Sequence, residues 1–185
     1  MAIPPVGPAR PSPLICLTGF MGTGKSTVAR LLARQIGWRH VDLDQRIVQH
    51  TGVSIPEFFT QYGEPAFREV ERDQLRRIEG ESREQAAPTI VSLGGGTTAQ
   101  PGAVEFLRAN GARSIWLHCP IEELLSRISR MSDRPLFRDE ASFRQLYDQR
   151  LPFYELSDYR VETNIEPLRV VEQILAIAIF DRVQA

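Results

Sequence analysis

The sequence contains a single lysine. Of its 22 basic side chains, 21 are arginine and the exception is Lys25. Acidic side chains number 23, so the formal net charge is −1, which removes any general attraction to nucleic acid or to an anionic membrane. No apolar run approaches the ~18 residues that a membrane-spanning helix needs. Cysteine is scarce: Cys16 and Cys119 lie far apart, in or beside apolar strand-like runs. That placement reads as two buried thiols in a reducing cytoplasm rather than a disulfide or a metal pair. There is no internal repeat. The only low-complexity stretch, residues 1–13, carries five prolines and lacks the apolar core of a secretory signal, so it is expected to be a disordered leader. Residues 14–185 are long enough for one domain with a sizeable core.

What is present is an alternation of apolar runs and amphipathic stretches. Leu14–Thr18, His40–Leu43, Thr89–Leu93, Ser114–His118 and Tyr159–Glu162 read as strands. Lys25–Ile36, Asp44–Thr51, Ile55–Tyr62, Pro65–Glu79, Gly102–Asn110, Ile121–Ser129, Ser142–Leu151 and Leu168–Arg182 read as helices. Gly37 can close the first helix in the left-handed conformation, and Ser54 followed by Ile55-Pro56-Glu57 is an N-cap with proline and an acid in the first turn. Such alternation predicts an α/β fold, a three-layer α/β/α arrangement around a five-stranded parallel sheet. Ligands of such sheets bind beyond the carboxyl ends of the strands. The segments Gly19–Thr27, Asp42–Asp44 and Gly94–Gly96 should therefore meet in one crevice. The polar stretch 130–141 interrupts the pattern and is expected to be a small mobile lid.

The lone lysine belongs to Gly19-Phe20-Met21-Gly22-Thr23-Gly24-Lys25-Ser26-Thr27, which matches G-x-x-x-x-G-K-[S/T]. Between a strand and a helix, such a loop cradles nucleotide phosphates with its backbone N–H groups. Lys25 reaches the β- and γ-phosphates as a compact charge, which arginine's planar fork fits badly. The Ser26 hydroxyl can ligate Mg²⁺, and Thr27 opens the helix with one phosphate contact. Asp42-Leu43-Asp44 closes the second strand. If the strand runs through all three, period 2 points both carboxylates to one side, toward metal water and a substrate hydroxyl; a helix N-cap plus an exposed acid is the other reading. Arg68 and Glu71 share a helix face, either as a surface ion pair or as an arginine held for an anionic substrate group. Gly94-Gly95-Gly96 after a buried strand lets a ligand touch backbone, or is simply a flexible turn. Ser92 falls near the metal by position. Arg127, Arg134 and Arg150 complete the candidates, each of which could equally be a solvated charge.

Six motifs in order resemble the shikimate kinase family, a branch of the nucleoside-monophosphate-kinase-like P-loop proteins. They are Gly19–Thr27, Asp42-x-Asp44, Phe67-Arg68-x-x-Glu71, Gly94-Gly95-Gly96, Arg134-Pro135-Leu136 and Arg150-x-Pro152-x-Tyr154, and the likeness runs from Leu14 to about Leu175. The resemblance implies a P-loop kinase fold and ATP-dependent phosphorylation of the 3-hydroxyl of shikimate, by a cytoplasmic monomer that uses Mg²⁺. It implies that Gly22, Thr23, Gly24, Lys25, Ser26, Thr27, Arg127 and Arg134 contact ATP, Arg127 lying against adenine and Arg134 descending from the lid. It implies that Ser26 holds Mg²⁺ with Asp42 acting through water. Asp44, Arg68, Glu71, Gly95 and Arg150 would bind shikimate, the two arginines pairing with its carboxylate and Glu71 orienting Arg68. Lys25, Asp44 and Arg134 would be catalytic, Asp44 taking the hydroxyl proton. Phe59 and Phe67 would wall the pocket or simply be core. The chain departs from the family pattern at Ile128, where threonine is usual, and at Ile165-Glu166-Pro167, both on the adenine side. A kinase for another carboxylated polyol, such as gluconate, fits the arginine pair as well. A ligand-sensing regulator on the same domain would need a DNA-binding segment that the proline-rich leader is too short to form.

Overall fold

The computed structural model describes residues 14–129 and 140–177. The leader, Arg134 with most of the expected lid, and the end of the chain lie outside them. Five strands form one parallel sheet: β1 Leu14–Thr18, β2 Arg39–Asp42, β3 Thr89–Ser92, β4 Arg113–His118 and β5 Tyr159–Glu162, in the order β2-β3-β1-β4-β5. The helices are α1 Lys25–Ile36, α2 Leu43–Thr51, α3 Ile55–Glu84, α4 Ala103–Ala109, α5 Ile121–Ser129, α6 Glu140–Tyr154 and α7 Pro167–Leu175. This is the expected three-layer α/β/α architecture.

β1 shows why the sheet is sandwiched. All five of its residues are buried, and the first four alternate between two cores. Ile15 and Leu17 pack with Val28, Leu32, Val170 and Ile174 of α1 and α7. Leu14 and Cys16 pack with Ile47, Leu75, Ile78 and Leu107 of α2, α3 and α4. A strand with both faces covered must be apolar on both, which is why Leu-Ile-Cys-Leu shows no alternation. A third cluster, Phe20, Trp116, Cys119, Leu124, Phe143, Tyr147 and Tyr154, joins the carboxyl end of the sheet to α5 and α6. Both cysteines are free and buried, and burial pushes the Cys16 thiol up to about 12. Among the described residues no helix is long and apolar enough to cross a membrane.

Two helix boundaries bear on the site. α3 is broken at Gly63 (φ 78°, ψ 172°), with Pro65 just beyond, so it has two arms, much as the sequence predicts, and the second arm runs on to Glu84. The first arm opens with a capping box: the Ser54 side chain accepts from the Glu57 amide, and the Glu57 carboxylate accepts from the Ser54 amide. The second boundary is a correction. β2 ends at Asp42, and Leu43 and Asp44 are already in α2. The Asp42 carboxylate accepts from the Gln45 amide at 3.1 Å and starts the helix one residue earlier than a strand through Leu43 requires. The strand-alternation argument for Asp42 and Asp44 therefore fails, and their proximity arises from a strand-to-helix corner.

Candidate active site

The loops at the carboxyl ends of β1, β2 and β3 do converge. Three glycines shape the first of them. Gly19 has φ 139°, and a Cβ there would lie 2.6 Å from the Leu117 carbonyl oxygen; Gly22 and Gly24 also have positive φ, at 83° and 86°. Gly24 is the N-cap of α1, so the first-turn amides of that helix face the loop without intrahelical acceptors. The Phe20 carbonyl oxygen gathers the loop, accepting from Thr23 Oγ1 at 2.9 Å and from Lys25 Nζ at 2.9 Å. The Phe20 ring is buried edge-on against Phe143 and Tyr147 of α6, at 5.0 and 5.3 Å between centroids.

Ser26 donates to Asp42 Oδ2 at 2.5 Å, and Ser92 donates to the same oxygen at 2.9 Å. His40 lies behind, its Nε2 3.3 Å from Ser92 Oγ. Burial pulls the Asp42 carboxyl upward. The donors Ser26, Gln45 and Ser92, with His40 nearby, outweigh that effect and hold it below the ordinary carboxylate range. Asp44 differs. Burial first, and then the charges of Asp42 and Glu71, push its carboxyl up; Lys25 and Arg68 oppose this without cancelling it. Two acids two residues apart are thus driven in opposite directions, the proton held less tightly at Asp42 and more tightly at Asp44. Hydroxyl and carboxylate oxygens at Ser26, Asp42 and Ser92 form a hard oxygen set of the kind Mg²⁺ accepts.

Arg68 and Glu71 are not a surface pair. Arg68 Nη1 donates to Glu71 Oε2 at 2.8 Å, with side-chain exposures of only 11% and 2%. The remaining Glu71 oxygen accepts from Thr97 Oγ1 at 2.7 Å. Arg68 is held a second time by Glu64, which is 62% exposed. Arg150 enters from α6, its guanidinium 5.7 Å from the Phe20 ring centroid. The glycine loop brings these groups together. A Cβ on Gly94 would lie 2.9 Å from Asp44 Oδ1 and 3.0 Å from Glu71 Oε1. One on Gly96 would lie 2.8 Å from Arg68 Nη2 and 3.3 Å from Arg150 Nη2. The glycines therefore let these side-chain ends approach the backbone closely, and two guanidiniums flank Gly96. Asp44, Arg68, Glu71, Gly95 and Arg150 line a cavity of about 660 Å³, with Phe59, Phe67 and Met21 on its walls. Phe59 stacks on Phe67 at 4.7 Å, so both are packed side chains and cavity wall together.

Arg127 lies elsewhere, on a second cavity of about 680 Å³ that includes Thr23, Gly24 and the segment Thr163–Pro167. It donates to the carbonyl oxygens of Gly22 and Thr163 and pairs with Glu123. Arg134 is outside the described residues, as are positions 130–139 of the expected lid; Glu140 and Ala141 begin α6. Sequence reasoning overlooked Thr97 and Glu64. Glu64 could have been found from its i, i+4 spacing to Arg68, whereas Thr97 carries no signal except its place after the glycines. Among the described residues there is no group of three or more His, Cys, Asp or Glu side chains that could hold a metal ion by itself.

The family model for shikimate kinase matches residues 21–178. A shikimate kinase from Geobacter metallireducens is 40% identical over 152 residues, covering 80% of this chain and 82% of that one. The solved structure of a shikimate kinase from Acinetobacter baumannii in complex with shikimate superimposes with a TM-score of 0.78 at 34% identity, covering 91% of this chain and 94% of the other. A shikimate kinase from Aquifex aeolicus gives 0.77 at 28% identity, with 93% and 99% covered.

Proposed function

The chain belongs to the shikimate kinase family, and on that premise we propose that it transfers the γ-phosphoryl group of ATP to the 3-hydroxyl of shikimate. The observation that carries the reading is the meeting of Arg68 and Arg150 at Gly96, with Asp44 beside the same glycine loop at Gly94 and the phosphate loop adjoining. Two guanidiniums offer bidentate bonds to one carboxylate, and a carboxylate set apart from them can receive hydroxyls. That pattern suits a small hydroxylated acid.

In this reading the substrate carboxylate binds Arg68 and Arg150, and Glu71 keeps Arg68 aimed while Thr97 keeps Glu71 aimed. The Gly95 backbone contacts the substrate. Asp44 aligns the hydroxyls. As the 3-hydroxyl oxygen bonds to the γ-phosphorus and the bond to the ADP oxygen breaks, Asp44 takes the hydroxyl proton. Its raised affinity for that proton suits it to this part. The amides of Gly22, Thr23, Gly24, Lys25, Ser26 and Thr27 surround the phosphates, and Lys25 leaves the Phe20 carbonyl to neutralise the transferring group. Arg127 meets the base, and Arg134 supplies a further positive charge from the segment before α6.

Ser26 directly and Asp42 through water would hold Mg²⁺, which would supply positive charge to offset that of the phosphates. The Ser26–Asp42–Ser92 arrangement suits this, because the lowered proton affinity of Asp42 keeps it an anion. The enzyme acts as a cytoplasmic monomer. A coupled assay of ADP release with Mg-ATP tests the proposal: shikimate should give sustained turnover, and gluconate and other carboxylated polyols should not. Absence of shikimate-dependent ADP release refutes it.

A further inference from the structure

Tyr154 lies at the end of α6, one helical turn beyond Arg150, and is fully buried. Its ring stacks on Trp116 at 6.1 Å between centroids. Its hydroxyl donates to the Gly95 carbonyl oxygen at 2.5 Å. Burial pushes the phenol up to about 12, so it stays protonated, and a donor, at any working pH. The positive charge of Arg150 works the other way on that phenol without cancelling the effect of burial.

The partner of this bond is a backbone group of the acceptor cavity. The peptide between Gly95 and Gly96 is planar and trans, so its carbonyl and its N–H point to opposite sides. With the carbonyl tied to Tyr154, the Gly96 N–H is turned away from Tyr154. Among the described residues the Gly95 and Gly96 amides have no protein acceptor. Gly96 is also where Arg68 Nη2 and Arg150 Nη2 come together. Turn bonds hold the flanking peptides, the Thr97 amide donating to the Gly94 carbonyl at 3.1 Å and the Ala99 amide to the Gly96 carbonyl at 3.2 Å, but among the described residues the Gly95 carbonyl is held by Tyr154, and glycine on either side leaves that peptide free to rotate without it. A side chain wedged in a packed aromatic cluster prevents that rotation.

We propose that Tyr154 is a positioning residue for the acceptor: its hydroxyl locks the Gly95–Gly96 peptide, and its place on α6 fixes that peptide relative to Arg150, so that backbone amides and guanidinium present one preformed site for the substrate carboxylate. The inference rests on reading the 660 Å³ cavity as the shikimate site. It assigns no role to Tyr154 in the chemical step or in nucleotide binding.

Tyr154→Phe keeps the ring and its packing while deleting the donor. A buried carbonyl deprived of its partner is worth about a factor of ten or more in an equilibrium. The variant should raise the shikimate KM about tenfold, leave the ATP KM and the ADP Kd within about twofold, and retain most of its kcat at saturating shikimate. The effect should be the same across pH 6–9, because the phenol does not titrate there. Trp116→Phe disturbs the same stack but keeps the hydroxyl; it should lower Tm without the tenfold rise in KM. A shikimate KM within twofold of the parent in Tyr154→Phe overturns the proposal. So does an equal rise in Trp116→Phe, which would trace the effect to packing. If the parent enzyme does not phosphorylate shikimate at all, the functional reading has failed instead, and the two failures are told apart by the parent control.

Discussion

Replacing Glu71 by glutamine tests whether the buried pair behind the acceptor cavity is an aiming device. Glu71 has two partners, Arg68 Nη1 on one oxygen and Thr97 on the other. Glutamine keeps one acceptor oxygen and turns the other into an amide, whose N–H₂ can face the Thr97 hydroxyl but not a guanidinium. The substitution therefore removes charge from one strong hydrogen bond instead of leaving an empty space. Deleting one partner of a fully buried ion pair costs about 3–5 kcal/mol, because an uncompensated charge remains. Here Arg68 retains Glu64, which is 62% exposed, so the loss falls to that of a charge-assisted hydrogen bond, about 1.5–3 kcal/mol. In a protein of this size about 2 kcal/mol lowers Tm by roughly 4–8 °C. Arg68 should also relax toward Glu64 and away from Gly96, and the shikimate KM should rise about tenfold with the ATP KM unchanged. Differential scanning calorimetry and steady-state kinetics on both substrates read the two effects. If Tm moves by less than about a degree and neither KM changes, Arg68 and Glu71 behave as a solvated surface pair, and the aiming argument is wrong.

Other perturbations separate the remaining roles. Lys25→Arg should fold normally, with an unchanged circular dichroism spectrum, and lose about 10²–10³ in kcat, because a planar guanidinium cannot enter the loop closed around Phe20. Asp44→Asn should lower kcat about 10²–10⁴-fold. It should also raise Tm at neutral pH: a carboxyl raised by burial costs stability once ionised, a cost absent below its unfolded pKa and complete above its folded one. For the same reason the acidic limb of the parent's kcat/KM profile should lie above the ordinary carboxylate range and vanish in Asp44→Asn. Gly19→Ala should sharply reduce soluble yield or Tm, since its Cβ would sit 2.6 Å from the Leu117 carbonyl oxygen in a backbone conformation that alanine avoids.

The centre of the sheet was legible because β1 and β3 are buried on both faces and each is followed by punctuation, at Thr18-Gly19 and Ser92-Leu93-Gly94. The phosphate loop was legible because its chemistry demands particular residues at fixed spacing. The Asp42–Asp44 corner was legible only as two readings, a strand end or a helix N-cap, because Leu43 is as apolar as a strand residue and the deciding event, a carboxylate capping the Gln45 amide, is a three-residue local competition. Spacing gave Arg68 and Glu71 as neighbours but left their burial undecided, since burial depends on Thr97 and Gly94 arriving from another strand. Tyr154 was visible as a letter in a motif. That its hydroxyl meets Gly95, 59 residues earlier in the chain, could come only from the fold.

The strand order also bears on how such an enzyme changes its substrate. With β1 in the middle of β2-β3-β1-β4-β5, the phosphate loop sits between two cavities whose linings share no residue. One draws on α1, α5, α7 and the segment after β5. The other draws on α2, both arms of α3, the glycine loop and α6. On the proposed assignment of the two cavities, a lineage could rewrite the acceptor half, helix by helix, while the nucleotide half goes on delivering the same phosphoryl group. The constraint on that freedom is α6, because it carries Arg150 into the acceptor cavity while packing on the phosphate loop through Phe20. A new acceptor specificity is therefore easier to reach through α2 and α3 than through the helix that both halves lean on.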